Sequence, residues 1–331
     1  MGAVNAALSF DELADRALAG GTLSREEALE VLRSDDAALP DLLAAAWKVR
    51  RHFHGNAVKV HVLMNAKRGA CAEDCGFCTQ SSKATAGGEI EPYRLESADR
   101  IVHQAREARA RGAWKFCLVT ATRGPSEQDL DTVCEAVRRI KAEVPIRVCA
   151  SLGLLDEAKA RRLKEAGVDR FNHNLESSER FFPEVCSTHT WRDRLETLRI
   201  AKDAGMELCC GGIVGMGESD EDVADLALAL RDLGVDSIPV NFLLPTWSGA
   251  PKAAPVTPAF ALKVLCLVRL LCPDKDVRAA AGREEALGSL QPLALYPANS
   301  IFTDGYLNTP GQGVGRDLAM IRDLGMEVLT A

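Results

Sequence analysis

The chain has 331 residues, 47% of them hydrophobic and 26% charged, with a formal net charge of −7. That is enough apolar material for a large core in one or two domains, and the acidic balance argues against a phosphate-backbone partner; no nucleic acid is expected, and small molecules are the default. No apolar run reaches the roughly 18 residues needed to span a bilayer, and the N-terminus carries acids where a secretory signal needs a basic start, which predicts a cytoplasmic protein with no membrane partner.

Residues 7 to 53 read as helical. SFDEL and TLSREEALEVL each place a hydroxyl ahead of an acid three residues on, an N-cap pattern, and Pro40 starts the last helix of the stretch. This predicts an N-terminal helical extension over residues 1–57 and a main domain over 58–331. From residue 58 short apolar runs alternate with amphipathic helical segments. The runs VKVHVLMNA, KFCLVTA, IRVCASL, RFNHNL, MELCCGGIVG, SIPVNFLLP, DVRAAAG and NSIFT are eight strand candidates, mostly starting about 25 to 40 residues apart. Such alternation implies a parallel sheet, and eight units suggest an α/β fold of the (β/α)8 TIM-barrel type with its active site at the C-terminal strand ends. A doubly wound sheet would want a Gly-rich phosphate loop after an early strand, and the first strand is followed by NAKRGACAEDCGFC instead. The proline-rich stretch 244–258 reads as a long loop at the mouth of the site.

Eleven cysteines, an odd number, favour metal or catalytic use over disulfides. Cys134, Cys186, Cys266 and Cys272 read as small buried hydrophobes. Cys71, Cys75 and Cys78, spaced C-x3-C-x2-C after the first strand, are different. Three soft thiolates on one loop can hold three irons of a 4Fe-4S cube and leave the fourth open to a substrate. Structural zinc is the competing reading; it wants four ligands, usually as two pairs, and no adjacent fourth Cys or His completes one, His54 and His61 lying upstream.

This spacing, with Phe77 before the last cysteine, resembles the radical S-adenosylmethionine enzymes. The resemblance implies a 4Fe-4S cluster on Cys71, Cys75 and Cys78 whose open iron binds the amino and carboxylate groups of S-adenosylmethionine, yielding a 5'-deoxyadenosyl radical that takes hydrogen from an unactivated carbon. The glycines of Gly211–Glu218 would let backbone approach a flat ligand, or simply make a strand-to-helix turn. The resemblance sets Gly212 and Ile213 beside the adenine and makes Thr120 a further cofactor contact.

Cys117, Cys149 and Cys209 lie on the second, third and fifth strand candidates, where alternate residues face the barrel interior. They can converge, although singly each reads as well as core packing. Arg278, in the seventh candidate, needs a charged or electron-rich partner inside a barrel. Cys209 and Cys210 must face opposite ways, and its motif position favours Cys209 as the inward one. With their flanks KFCLVTA, RVCASLGLL, LCCGGIVGMGE and VRAAAGRE, these residues resemble the biotin synthase family from about residue 58 to 325. That resemblance implies a 2Fe-2S cluster on Cys117, Cys149, Cys209 and Arg278 as sulfur donor, and sulfur insertion into dethiobiotin to form biotin. By position it implies Asn172, Asn174 and Asn241 on the ureido ring, where an amide offers both donor and acceptor. It places Asn174 and Glu176 at the cofactor too, with Glu176 on the ribose hydroxyls and Arg194 on the methionine carboxylate. Asn308 and Thr309 fall in a loop over the substrate's carboxylate tail, Asn308 departing from the usual threonine. A flavodoxin-type electron donor, iron-sulfur assembly proteins and a homodimer are implied as well.

Overall fold

Helix caps set the first elements. In the computed structural model, which describes residues 9–86, 90–244 and 249–329, Ser9 accepts the Glu12 N–H to start α1 (Phe10–Leu18), and Ser24 and Glu27 form a full capping box on α2 (Arg25–Arg33). Pro40 sits in the first turn of α3 (Leu39–His54). Next come β1 (Ala57–Lys67), α4 (Ser82–Ala86), α5 (Ala98–Ala110), β2 (Lys115–Thr120), α6 (Glu127–Glu143), β3 (Arg147–Ser151), α7 (Glu157–Ala166) and β4 (Arg170–Asn172). The second half runs α8 (Trp191–Asp203), β5 (Glu207–Cys209), β6 (Gly212–Val214), α9 (Asp220–Leu233), β7 (Ser237–Phe242), α10 (Pro258–Leu271), β8 (Asp276–Ala279), α11 (Arg283–Leu287), β9 (Ser300–Phe302), α12 (Val314–Asp323) and β10 (Glu327–Leu329).

The strands pair in parallel in the order β1-β2-β3-β4-β5-β7-β8-β9, and β9 returns to β1 through Lys59↔Ser300. The ring closes as a (β/α)8 barrel, as the alternation predicted. No helix among the described residues is long and apolar enough to cross a membrane.

Two features differ from the sequence reading. The fifth run is broken into β5 and β6 at Cys210–Gly211; a Cβ on Gly211 would lie 1.9 Å from the Pro239 carbonyl oxygen, and one on Gly212 2.4 Å from Leu226 Cδ2 and 2.6 Å from the Glu176 carbonyl oxygen. The room these two glycines make is taken by the Pro239 and Glu176 carbonyls and by Leu226, so close packing within the protein already requires both of them. A further strand, β10, pairs with the start of β1 through Ala57↔Glu327, where the short EVL run carried no clear alternation.

The helical extension does not stand apart. Helix α3 packs on α1 and α10, and α2 packs on α9 and α10, so that Leu13, Val31, Leu42 and Val49 share one core with Leu262 and Leu265. Every residue of α10 from Ala261 to Leu271 is buried, as expected of a helix covered on all sides. Its two cations are answered locally: Lys263 pairs with Asp36 at 2.6 Å, and Arg269 donates to the carbonyls of Pro297, Pro273 and Lys275 and to Asn299.

At its base the barrel is filled by ions rather than apolar side chains. Asp276 pairs with Lys59 at 2.5 Å and with Arg170 at 3.3 Å, and Arg170 reaches Glu207 at 2.7 Å. Burial alone would raise the Asp276 carboxyl, but Lys59 and Arg170 hold it well below the usual carboxylate range. A depressed folded pKa means that its contribution is complete above the unfolded value near about 4 and is lost as pH falls through the folded one. Asp276→Asn is expected to destabilise the protein by about 3 kcal/mol at neutral pH, with the difference from wild type shrinking in acid; denaturant unfolding across pH 3 to 7 checks both parts.

Candidate active site

Two residues above this ionic layer on their strands, the barrel carries sulfur. Cys117 and Cys149 are in register on β2 and β3, and Cys209 on β5 is opposite Asn172 of β4. Alternation turns all three inward, where they pack together against Leu63 and Phe302. Cys210 points the other way, into the main core, which settles the choice between neighbours.

Arg278 enters the same chamber from β8 and is 1% exposed. Its Nη1 donates to Cys209 Sγ at 3.8 Å and its Nη2 to Ser237 Oγ at 3.0 Å, and its plane lies 4.7 Å over the Phe302 ring. His61 Nε2 is 3.3 Å from Nη2; burial, and then the Arg278 charge, drive that ring well below its ordinary pKa. Arg278 Nε and Lys115 Nζ are both buried without a hydrogen-bond partner, and burial pushes Lys115 down to about 8. The thiols lie against one another, and the neighbouring Cys117 sulfur, ahead of burial, pushes Cys149 up to about 12. Three converging sulfurs beside cations short of partners are what an anionic thiolate-bound cluster requires, so the residues present fit a 2Fe-2S group.

The first cysteine loop leaves β1 above this chamber. Its shape comes from Cys71 N–H to Gln80 O at 3.1 Å and Cys78 N–H to Cys75 O at 3.1 Å, and Gly76 N–H ties it to Val185 O at 2.8 Å. Asp74 accepts the backbone N–H groups of Ser187 and Thr188, and Glu73 pairs with Arg123 at 2.8 Å. The segment 185–189 is thus a brace for the loop, a role the sequence reading did not assign to it. Cys186, expected to be a mere packing thiol, is buried but has its sulfur 3.7 Å from Cys75 Sγ. Cys75, Cys186 and His189 are the one trio among the described residues with ligand atoms all within 4.8 Å of one another. Both nitrogens of His189 are already engaged, by Glu73 at 2.6 Å and Arg194 at 2.9 Å, so the trio as it stands offers zinc no free imidazole. Cys71, Cys75 and Cys78 form no such tight trio, although one zinc would draw its sulfurs within about 4.6 Å of one another. Three thiols on one braced loop, with no fourth ligand beside them in sequence, suit a cube with one open iron.

Between the sulfur groups lies a polar ledge. Asn172 donates to Asn174 Oδ1 at 3.4 Å and to Cys209 O at 3.3 Å, and Asn174 donates to Glu176 Oε2 at 3.3 Å. Glu176 is at φ 68°, an uncommon conformation for a non-glycine residue, and burial raises its carboxyl even against the pull of Arg194. Asn241 is less free than expected, since its amide already donates to Gly212 O at 3.0 Å and accepts from Ala281 N–H at 3.1 Å.

Two cavities meet along this ledge. One, of about 230 Å3, is lined by Ile213, Asn241, Phe302, Asn308 and Thr309. The other, of about 170 Å3, is lined by Cys71, Cys75, Thr120, Asn172 and Arg194. Phe77, Cys78, Asn174, Glu176 and Tyr306 border both. Thr120 Oγ1 is buried without a partner. Asn308 links the C-terminal loop to the cysteine loop by donating to Thr79 Oγ1 at 3.1 Å. Gly212 is absent from the walls of both cavities, in keeping with the backbone contact that its hydrogen permits.

Residues 68–230 match the Radical SAM superfamily, and residues 239–327 match the Biotin and Thiamin Synthesis associated domain. The biotin synthase of Salinibacter ruber is 54% identical over 95% of this chain and 88% of its own length. That of Bacillus subtilis is 44% identical over 96% of this chain and 94% of its own. The chain belongs to the biotin synthase family. Among solved structures, methylornithine synthase superposes with a TM-score of 0.82 at 21% identity, covering 96% of this chain and 97% of that one. The FeFe-hydrogenase maturase HydG from Carboxydothermus hydrogenoformans gives 0.82 at 18% identity, over 97% of this chain and 79% of its own. Both share the fold. The two matched family regions meet between α9 and β7, inside the closed ring, so in a biotin synthase of this kind together they make one barrel.

If Arg278 is present for a bound anion rather than for folding, removing it should cost the cluster-free protein nothing. Cluster-free Arg278→Met is expected to match wild type within about 1 kcal/mol, because an unpaired buried cation is itself costly; a urea midpoint showing a loss of about 3 kcal/mol or more would make the residue structural instead.

Proposed function

We propose that Cys71, Cys75 and Cys78 hold the 4Fe-4S cluster, that Cys117, Cys149, Cys209 and Arg278 hold the 2Fe-2S cluster, and that the ledge between them seats dethiobiotin. The protein is a radical S-adenosylmethionine sulfurtransferase of the biotin synthase family, and dethiobiotin is its substrate. When bound, the two clusters and S-adenosylmethionine supply the radical and the sulfur atom; everything else falls to the side chains. The observation that carries the residue assignments is the convergence of Cys117, Cys149, Cys209 and Arg278 in one sealed chamber that adjoins Asn172 and the cysteine-loop cavity.

In this reading Arg194 and Glu176 orient the methionine carboxylate and the ribose, with Phe77, Thr120 and Ile213 completing the cofactor walls and Gly212 acting through its backbone. Asn172 and Asn174 face the ureido ring. Asn241 has one N–H and one lone pair left for a ligand after its backbone bonds, so its contribution is partly to shape the strand ends. Asn308 and Thr309, on the wall of the larger cavity, close over the substrate's tail. Phe302 and Tyr306, whose rings meet edge to face at 5.3 Å, keep water from the sulfur chamber. The reading also includes residues 1–57 as a helical extension of a catalytic barrel over 58–331, a homodimer, a cytoplasmic setting suited to eleven free cysteines, a flavodoxin-type electron donor and iron-sulfur assembly proteins.

Anaerobic reconstitution followed by assay with dethiobiotin, S-adenosylmethionine and reductant tests the assignments. Alanine at Cys71, Cys75 or Cys78 should abolish deoxyadenosine release. Cys149→Ala should keep the 4Fe-4S spectrum and cofactor cleavage while biotin formation drops at least about a hundredfold; biotin formed at the wild-type rate by that variant would remove the second-cluster assignment.

A further inference from the structure

Arg194 is held by more than its helix. It sits in the first turn of α8, and its guanidinium is fixed on three sides: Nε donates to His189 Nε2 at 2.9 Å, Nη1 donates to the Asn174 carbonyl at 2.8 Å, and the plane lies 5.3 Å over the Phe182 ring. Nη2 is left facing the cysteine loop, 4.0 Å from Cys75 Sγ. His189 is bonded on its far side to Glu73 Oε2 at 2.6 Å. The side chains of Glu73, His189 and Arg194 are 7%, 4% and 9% exposed.

The chemistry of these contacts determines the proton positions. A guanidinium has no lone pair and keeps its protons, so His189 Nε2 must be the acceptor. The ring then carries its proton on Nδ1 and donates it to Glu73. That is a directional chain, carboxylate to imidazole to guanidinium, of the kind that orients ligand-bearing histidines in other sites. Nε–H is the one guanidinium donor on the stem side of the group. Pinning it fixes rotation of the plane, which decides whether the outer N–H groups can meet a carboxylate as a fork.

We propose that His189 is a positioning residue for S-adenosylmethionine: held by Glu73, it locks the plane of Arg194 so that the guanidinium receives the cofactor's carboxylate. This rests on the assignment of Arg194 to that carboxylate. It also ties cofactor binding to cluster loading, because Glu73 lies between Cys71 and Cys75 on the loop itself and is further clamped by Arg123 and Thr188. A loop ordered by its cluster presents Glu73, and Glu73 sets the arginine.

The test uses the full-length, anaerobically reconstituted protein. Iron and sulfide are counted first, the S-adenosylmethionine dissociation constant is then read from the change that it causes in the EPR signal of the reduced 4Fe-4S cluster, and KM values are measured for both substrates. His189→Ala is expected to weaken S-adenosylmethionine binding on the order of tenfold or more, with dethiobiotin KM and cluster content unchanged. His189→Gln, which can accept from Arg194 and donate to Glu73, should restore most of the affinity. His189→Asn, too short to span both partners, should behave like alanine and serves if the alanine variant takes up no cluster. Arg194→Met is the control. If it weakens S-adenosylmethionine binding while neither the alanine nor the asparagine variant of His189 does, the positioning role is wrong and the Arg194 assignment stands. If Arg194→Met has no effect, the assignment beneath it fails too. Cys186→Ala separates the remaining possibility. It should leave the dissociation constant unchanged, and a loss equal to that of His189→Ala, with zinc retained by the wild-type protein, would make His189 a metal ligand beside Cys75 and overturn the proposal.

Discussion

A guanidinium sealed inside a parallel barrel must be answered by negative charge, and the arrangement around Arg278 follows from that demand. Neutral partners, Ser237, His61 and the face of Phe302, occupy part of its surface. Cys209 alone brings an atom that can become anionic. Below, two carboxylates, Asp276 and Glu207, are shared among three cations, Lys59, Arg170 and Arg147, and Lys115 has no hydrogen-bond partner, so positive charge is in excess. The excess of buried positive charge sits directly under three thiols. Protein that carried this for packing alone would gain by exchanging it for apolar side chains, so the excess is best understood as belonging to the bound state of a sulfur-ligated cluster.

The geometry of the barrel turns that local demand into an active site. Period-two alternation stacks an ionic layer, a sulfur layer and an amide and carboxylate ledge on the same inward faces, from Arg170 to Asn172 and from Asp276 to Arg278. The ledge then borders the loops, where the second sulfur group is held by a brace drawn from residues 185–189. The two sulfur groups differ in how they are supported. The inner one is held by strand register and is rigid by construction. The outer one depends on side-chain contacts from Glu73 and Asp74, which makes its geometry responsive to what the loop holds.

Much of this was legible in the chain. Strand and helix alternation announced the barrel because both periods are written in local hydrophobicity, and the N-caps at Ser9 and Ser24 appeared where their hydroxyls and acids foretold. The Gly211–Gly212 pair read equally well either way, since a glycine required by close packing looks the same in sequence as one required by a ligand. The bonds that Asn241 makes to Gly212 O and Ala281 N–H were likewise not legible, because they cross between strands. Cys186 and His189 were passed over because a lone cysteine and a lone histidine more than 100 residues from the loop carry no spacing signal.

By itself, the sequence determined the cysteine spacing, the periodicities and an arginine, Arg278, in the otherwise apolar run VRAAAG, all properties of neighbours along the chain. Tertiary structure alone decided that three cysteines on three strands share one chamber, that Cys209 rather than Cys210 belongs to it, and that Glu73, His189 and Arg194 form one chain. Those outcomes depend on ring closure and on register between strands and loops far apart in sequence, and the energies that set them are summed over contacts no local window contains.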